Sequence, residues 1–157
     1  MKRLVASALV VMLLSPAIVV ALDSKKAMFV GGTISTKVKE GTERKLDTGS
    51  ETTLTFIPDK GKGEPAELPY KQIQSIEYGQ KASHRIKTAL LLSPWTLFSK
   101  KRCHYYSLMW KDEAGKDQGI VLELGKDLVR SVGIVLEART GKKIEFQDDE
   151  AKRNFAR

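Results

Sequence analysis

The sequence has very little of the side-chain chemistry on which most enzymes depend. Its 157 residues include one cysteine, Cys103, and two histidines, His84 and His104. A single cysteine excludes an internal disulfide bond, so the fold must be held by packing, and we expect Cys103 to be a buried apolar residue. A cysteine nucleophile needs a base within hydrogen-bond reach, but neighbouring strand residues such as Cys103 and His104 point to opposite faces. We therefore predict no catalytic residue and no enzymatic activity.

Patterns for metal or nucleotide binding are also lacking. Asp112, Glu113 and Asp117 share one turn, without the alternating acids and final glutamate of an EF-hand loop. Residues 140–143 are similar to the end of a phosphate-binding loop, but Leu136 stands where the first glycine is required. We interpret the acids as a hairpin tip and the lysines as the end of a helix. No metal, cofactor or small-molecule substrate is expected.

The first 21 residues are typical of a secretory signal peptide. Lys2 and Arg3 precede an almost wholly apolar run, residues 4–20, and Val19-Val20-Ala21 supplies small residues at the −3 and −1 positions of a cleavage site. Pro16 would break a helix shortly before the cut. We predict cleavage and export to the periplasm or the outside of the cell. An uncleaved membrane anchor is the alternative, because about 17 to 25 apolar residues can span a bilayer.

Acidic residues are missing from one long stretch. No Asp or Glu lies between Glu77 and Asp112, although seven Lys and Arg residues do. The net charge of the chain is +8, and the rest of the chain after residue 21 is nearly balanced. We name residues 81–102 the basic segment. Its candidate contacts with a membrane or another anionic ligand are Lys81, Arg85, Lys87, Trp95, Lys100, Lys101 and Arg102.

The basic segment allows three interpretations. Each Lys or Arg near an anionic bilayer contributes about 1 kcal/mol, and Trp95 and the leucines at 90–92 would add apolar burial, which predicts contact with a membrane or an anionic envelope ligand. A protein partner in the cell envelope is the alternative function, without lipid binding. Thirdly, the leucines fill the core and the cations form its solvated rim. Nucleic acid is not expected for an exported protein.

Hydrophobic alternation predicts a mainly β domain over residues 27–146, after a linker at 22–26. Ser93-Pro94 interrupts the apolar run, and residues 86–92 fit either a strand or a helix. Paired glycines at 31 and 32 predict a bulge or bend in the first strand. The predicted strands are 27–38, 44–47, 51–57, 73–78, 103–111 and 119–124.

One amphipathic helix is predicted near the C-terminus. Asp127 is the expected N-cap and Gly141 the expected end. The apolar stripe of this helix consists of Leu128, Val129, Val132, Val135 and Leu136. We expect residues 144–146 to pack back once and residues 147–157 to form a charged flexible tail.

Strands followed by one terminal helix resemble a pleckstrin-homology-like barrel. The stretch Leu68-Pro-Tyr-Lys-Gln-Ile-Gln-Ser-Ile-Glu-Tyr78 is similar to a strand of bacterial PH-like and GRAM-type domains. The chain also resembles a family of uncharacterised exported bacterial proteins, at Phe29-Val-Gly-Gly-Thr33, Ile76-Glu-Tyr-Gly-Gln80, Leu97-Phe-Ser-Lys-Lys101, Glu123-Leu-Gly-Lys-Asp127 and residues 136–143. The resemblance implies an antiparallel barrel or sandwich of about seven short strands capped by the helix. It implies no activity and no functional residue.

Overall fold

The protein is described by a computed structural model that covers residues 25–36, 38–58, 63–81 and 103–156. Two α-helices and two short 3-10 helices accompany eight strands in this part of the chain. The strands are β1 (Lys25–Gly32), β2 (Thr42–Asp47), β3 (Thr53–Ile57), β4 (Ala66–Pro69), β5 (Ile73–Gly79), β6 (His104–Lys111), β7 (Asp117–Leu124) and β8 (Ile144–Phe146). The helices are α1 (Lys126–Thr140) and α2 (Asp149–Ala156), and the 3-10 helices are Thr33–Thr36 and Tyr70–Gln72.

All eight strands belong to one sheet, in the order β4-β3-β2-β1-β7-β6-β5-β8. Every neighbouring pair is antiparallel except β5 and β8, which are parallel. The predicted mainly β fold is therefore confirmed. β4 was not among the predicted strands. Residues 144–146 pack back as expected, as an edge strand paired with β5.

The sheet is curled, as its connectivity requires. β4 and β5 stand six positions apart in the strand order, yet only Tyr70–Gln72 separates them in the chain. Six strand spacings in a flat sheet would amount to about 29 Å, whereas the four residue steps from Pro69 to Ile73 reach at most about 14 Å. The two sides of the sheet must approach each other, although no ladder joins β4 to β5 among the described residues.

The bend predicted at the paired glycines is present in β1. The register against β7 shifts between Phe29 and Gly31. Gly32 has a φ of 147°, and a Cβ there would collide with the backbone of Gly119 and Ile120. Only glycine permits so close an approach of the two strands.

After this bend the chain leaves the sheet, so the prediction of a strand to Val38 is wrong. The Thr33 hydroxyl accepts a hydrogen bond from the Gly119 N–H (3.2 Å) and donates to the Gly119 carbonyl (3.4 Å). The Val38 N–H donates to the Ile34 carbonyl (2.9 Å) and closes the turn. These tertiary contacts outweigh the β-propensity of the segment. Val38 is then buried in the core.

α1 packs its apolar stripe against the core face of the sheet. The stripe residues Leu128, Val129, Val132 and Leu136 are buried, and the Tyr106 hydroxyl donates to the Val129 carbonyl at 2.8 Å. The helix ends as predicted, at Gly141 in the left-handed conformation. Its start differs from the prediction. The N-cap is Gly125, without a side-chain cap, and Asp127 lies in the first turn, where its charge complements the helix dipole.

The C-terminal residues are ordered as α2 over Asp149–Ala156, so the flexible tail predicted for 147–157 is wrong there. The Asp148 carboxylate accepts a hydrogen bond from the Ala151 N–H (2.7 Å), as an N-cap does. Ala151 is fully buried, and the Phe155 ring packs 5.4 Å from that of Phe146. Ala151 and Phe155, four positions apart, lie on one side of the helix and pack against the core, whereas most of its other side chains are charged.

Candidate functional site

Only one of the seven predicted contact residues lies in the described part of the chain. Lys81 is exposed, two residues after the end of β5. The other six, Arg85, Lys87, Trp95, Lys100, Lys101 and Arg102, lie outside the described residues, as do His84 and residues 86–92. The site therefore has to be located from the strands to which the basic segment is attached.

Strand register places those attachment points at one end of the sheet. Gly79 at the end of β5 pairs with Tyr105, and His104 at the start of β6 pairs with Leu124 at the end of β7. Leu124 also pairs with Ala27 near the start of β1. We name this the β5–β6 end. Residues 1–24 and residues 82–102 are both joined to the sheet here, and α1 begins here after Gly125.

The described charges at the β5–β6 end are of both signs. The exposed cations are Lys26, Lys45, Lys81 and Lys126. By strand register and position, the acidic residues are Glu43, Asp47, Glu77, Glu123, Asp127 and Glu145. The described residues of this end therefore carry no excess of positive charge. Residues 85–102, which lie outside the described residues, contain five Lys and Arg residues and no acid in the sequence. Lys126 was not among the contact residues predicted from the sequence. Its position, two residues after the end of β7, could have indicated that it lies at this end.

The start of the basic segment is held in place by Gln147. Its side-chain amide donates to the Lys81 carbonyl (2.6 Å) and to the Glu77 carboxylate (3.0 Å). The Gln147 backbone N–H donates to the Tyr78 carbonyl at 3.1 Å. A Cβ at Gly79 would overlap the Gln147 side chain. The residue after β8 therefore fixes the point at which the chain leaves β5.

A buried tyrosine and a histidine form a hydrogen-bonded pair at the same end. The Tyr78 hydroxyl lies 2.6 Å from His104 Nδ1, and the two rings stack with centroids 6.0 Å apart. Burial raises the pKa of Tyr78 to about 12, so the phenol is protonated at neutral pH and is able to donate to Nδ1. Burial and then the positive charge of Lys126 lower the pKa of His104, against a smaller opposing effect of Glu123. A neutral imidazole that accepts at Nδ1 carries its proton on Nε2.

The remaining sequence motifs have structural roles. Cys103 is buried with Tyr105 and Val121 in a small cluster separate from the main core, whereas His104 bonds Tyr78. The Asp112 carboxylate accepts hydrogen bonds from the Ala114 and Lys116 N–H groups and the Gln118 amide, at 3.0, 2.9 and 2.7 Å. These bonds lower the pKa of Asp112, that from Lys116 most of all. Its oxygens therefore hold the β6–β7 hairpin.

No group of His, Cys, Asp and Glu suited to a metal ion occurs within 25–36, 38–58, 63–81 and 103–156. In the same ranges no helix has the length and apolar character needed to cross a membrane.

No protein-family model matches the chain, and no curated protein matches it.

Proposed function

We propose that this chain is an exported binding module that contacts an anionic membrane surface through its β5–β6 end. The observation that carries the proposal is topological. The apolar N-terminal run and the basic segment are both attached at this end, through Lys25 on one side and through Lys81 and Cys103 on the other. An apolar tether together with nearby cations is a common feature of proteins that bind an anionic bilayer.

Whether the N-terminal run is retained or cleaved, we expect the β5–β6 end to face the membrane. If residues 1–21 stay as an anchor, they hold the β5–β6 end against the bilayer because β1 starts there. If they are removed, the six cations of the basic segment remain, each worth about 1 kcal/mol near an anionic surface. Binding of this kind weakens as salt screens the charges.

A binding role agrees with how the described residues are used. Tyr78 and His104 are hydrogen-bonded to each other, the Asp112 carboxylate holds a hairpin, and Cys103 is buried. PH-like domains, which the sequence resembles, accept lipids, peptides and proteins on one scaffold, so the ligand has to be argued from charge. We propose no catalytic step and no cofactor.

Vesicle co-sedimentation of the full chain tests the proposal. We expect binding to phosphatidylcholine vesicles that contain phosphatidylglycerol, little binding to pure phosphatidylcholine, and release at high salt. The double variant Lys100→Glu, Lys101→Glu should bind at least about tenfold more weakly, since it reverses two charges. The matched control is Lys39→Glu, Lys116→Glu, at two exposed lysines away from the β5–β6 end.

Absence of vesicle binding at every salt concentration would contradict the proposal, as would equal loss of binding in the two double variants. The alternative function, an envelope protein-interaction domain, would then be favoured by a partner that is retained after Lys101→Glu and lost after Trp95→Ala.

A further inference from the structure

A cleft opens between the first turns of α1 and the last turn of α2. It has a volume of about 510 Å³ and is lined by Lys126, Asp127, Val129, Arg130, Asn154 and Phe155. The cleft adjoins the β5–β6 end, because α1 begins one residue after β7. No residue that we had singled out for function in the sequence belongs to it.

Helix packing creates the cleft. A Cβ at Gly133 would collide with the Phe155 ring, so glycine allows α2 to lie close to α1 at this point. The Arg130 guanidinium reaches the Ala156 carbonyl, at 3.4 Å, and bridges the two helices across the cleft. Lys126 and Arg130 are four residues apart on α1, which places them on one face of the helix.

The lining favours a small anion. Lys126 and Arg130 are exposed cations, and Asn154 adds an amide that can donate hydrogen bonds. Lys126 lies close enough to His104 to influence its titration. Asp127 is the one acidic residue among those that line the cleft. One of its carboxylate oxygens lies close to Gly125, 2.8 Å from the position that a Cβ on Gly125 would occupy. Val129 and Phe155 supply the apolar part of the wall.

We propose that this cleft binds a phosphate group, with Lys126 and Arg130 as its charged contacts and Asn154 as a neutral donor. The planar guanidinium of arginine matches two phosphate oxygens at once, and the lysine ammonium neutralises further charge. That the phosphate belongs to a lipid headgroup rests on the membrane contact proposed above. Free phosphate is the second source of the same chemistry.

The first experiment uses inorganic phosphate as the probe, with the full chain. Backbone amide NMR shifts of Val129, Asn154 and Phe155 are followed during titration with phosphate, and with chloride at matched ionic strength. We expect saturable shifts with phosphate alone. Lys126→Gln with Arg130→Gln should raise the Kd roughly tenfold or more, since each change removes a charged hydrogen bond.

The control variant is Lys142→Gln with Lys143→Gln, which removes the same charge at the other end of α1 and should leave the Kd unchanged. Shifts that do not saturate, that chloride reproduces, or that persist unchanged in the Lys126 and Arg130 variant would overturn the phosphate site.

Vesicles containing phosphatidate then separate the two sources of phosphate. Weaker vesicle binding by the Lys126 and Arg130 variant, and not by the control, supports a headgroup site. Vesicle binding that this variant leaves unchanged, together with no phosphate binding, overturns the inference and leaves the membrane proposal standing. Phosphate binding by a chain that never binds vesicles overturns the membrane proposal and supports a site for free phosphate.

Discussion

Gly133 occupies a helix interior, where glycine is normally unfavourable. A Cβ at this position would collide with the Tyr106 hydroxyl, the Phe155 ring and the Ile144 side chain. The Tyr106 hydroxyl is held by its bond to the Val129 carbonyl, so it cannot move without losing that bond. The missing side chain therefore permits the contact between α1, β6 and α2.

We predict that Gly133→Ala lowers the free energy of unfolding by roughly 1 to 2 kcal/mol, because overpacking outweighs the gain in helix propensity. Urea denaturation of the two proteins measures the difference. Ala138→Gly, at an exposed position of the same helix, is the reciprocal control and should cost about 1 kcal/mol. A stabilised Gly133→Ala protein would show that the position is not packed as described.

Because the pKa of His104 is lowered in the folded protein, the free energy of unfolding decreases as the pH falls. Burial and Lys126 hold the pKa of His104 below its ordinary value, and an unfolded histidine titrates near about 6.5. Below that pH the unfolded state binds a proton that the folded state does not. The contribution is therefore fully present above about pH 6.5 and is lost as the pH falls towards the folded pKa.

We predict that the free energy of unfolding falls between about pH 7 and pH 5.5, and that His104→Gln reduces this slope. Urea titrations at several pH values measure it, and NMR titration of His104 gives the folded pKa directly. A folded pKa above that of the unfolded chain would reverse the sign and contradict the assignment.

At the scale of the elements, α2 stabilises the fold through the packing of its aromatic residue. The Phe155 ring lies 6.0 Å from the ring of Tyr78 and 5.4 Å from that of Phe146. Phe155→Ala should lower the free energy of unfolding by roughly 2 kcal/mol, since a half-buried aromatic and two ring contacts are lost. Thermal and urea unfolding test this. Lys152→Ala, exposed on the same helix, should stay within about 0.5 kcal/mol of the parent.

Elements with a long regular pattern were predictable from the sequence. β6 alternates between two faces, with Tyr106 and Leu108 in the main core and Tyr105 in the smaller cluster, and a strand was predicted over residues 103–111. α1 was found from its apolar stripe and its terminal glycine. β4 and α2 were missed because four residues of strand, or two apolar residues among charges, give too short a pattern to be recognised without their tertiary partners.

The candidate site was predictable only in part, for a related reason. The basic segment is contiguous in sequence, so its charge could be counted directly. The α1–α2 cleft brings Lys126 and Asn154 together from separate helices, and no local pattern records that proximity. Likewise, the attachment of the N-terminal run and the basic segment at one end follows from the pairing of β1 with β7, which alternation alone does not give.

On the scale of the whole molecule, the strands of the sheet separate the β5–β6 end from the β6–β7 hairpin. β6 and β7 have eight residues each, so the β6–β7 hairpin lies roughly 23 Å from the β5–β6 end along the strands. Lys81 is at the β5–β6 end and Lys116 is at the tip of the hairpin, and both are exposed. These two positions can report which end meets a membrane.

We predict that a fluorophore at Lys81→Cys is quenched by brominated lipids in anionic vesicles much more strongly than one at Lys116→Cys. Both labels are placed in a Cys103→Ala background, so that each protein has one thiol. Lys39→Cys, between the end of β1 and the start of β2, is a second distant position and should behave like Lys116→Cys. Since bromine quenches only nearby fluorophores, a separation of roughly 23 Å is enough to distinguish the two ends. Equal quenching at all three positions, or stronger quenching at the hairpin, would mean that the β5–β6 end does not face the bilayer.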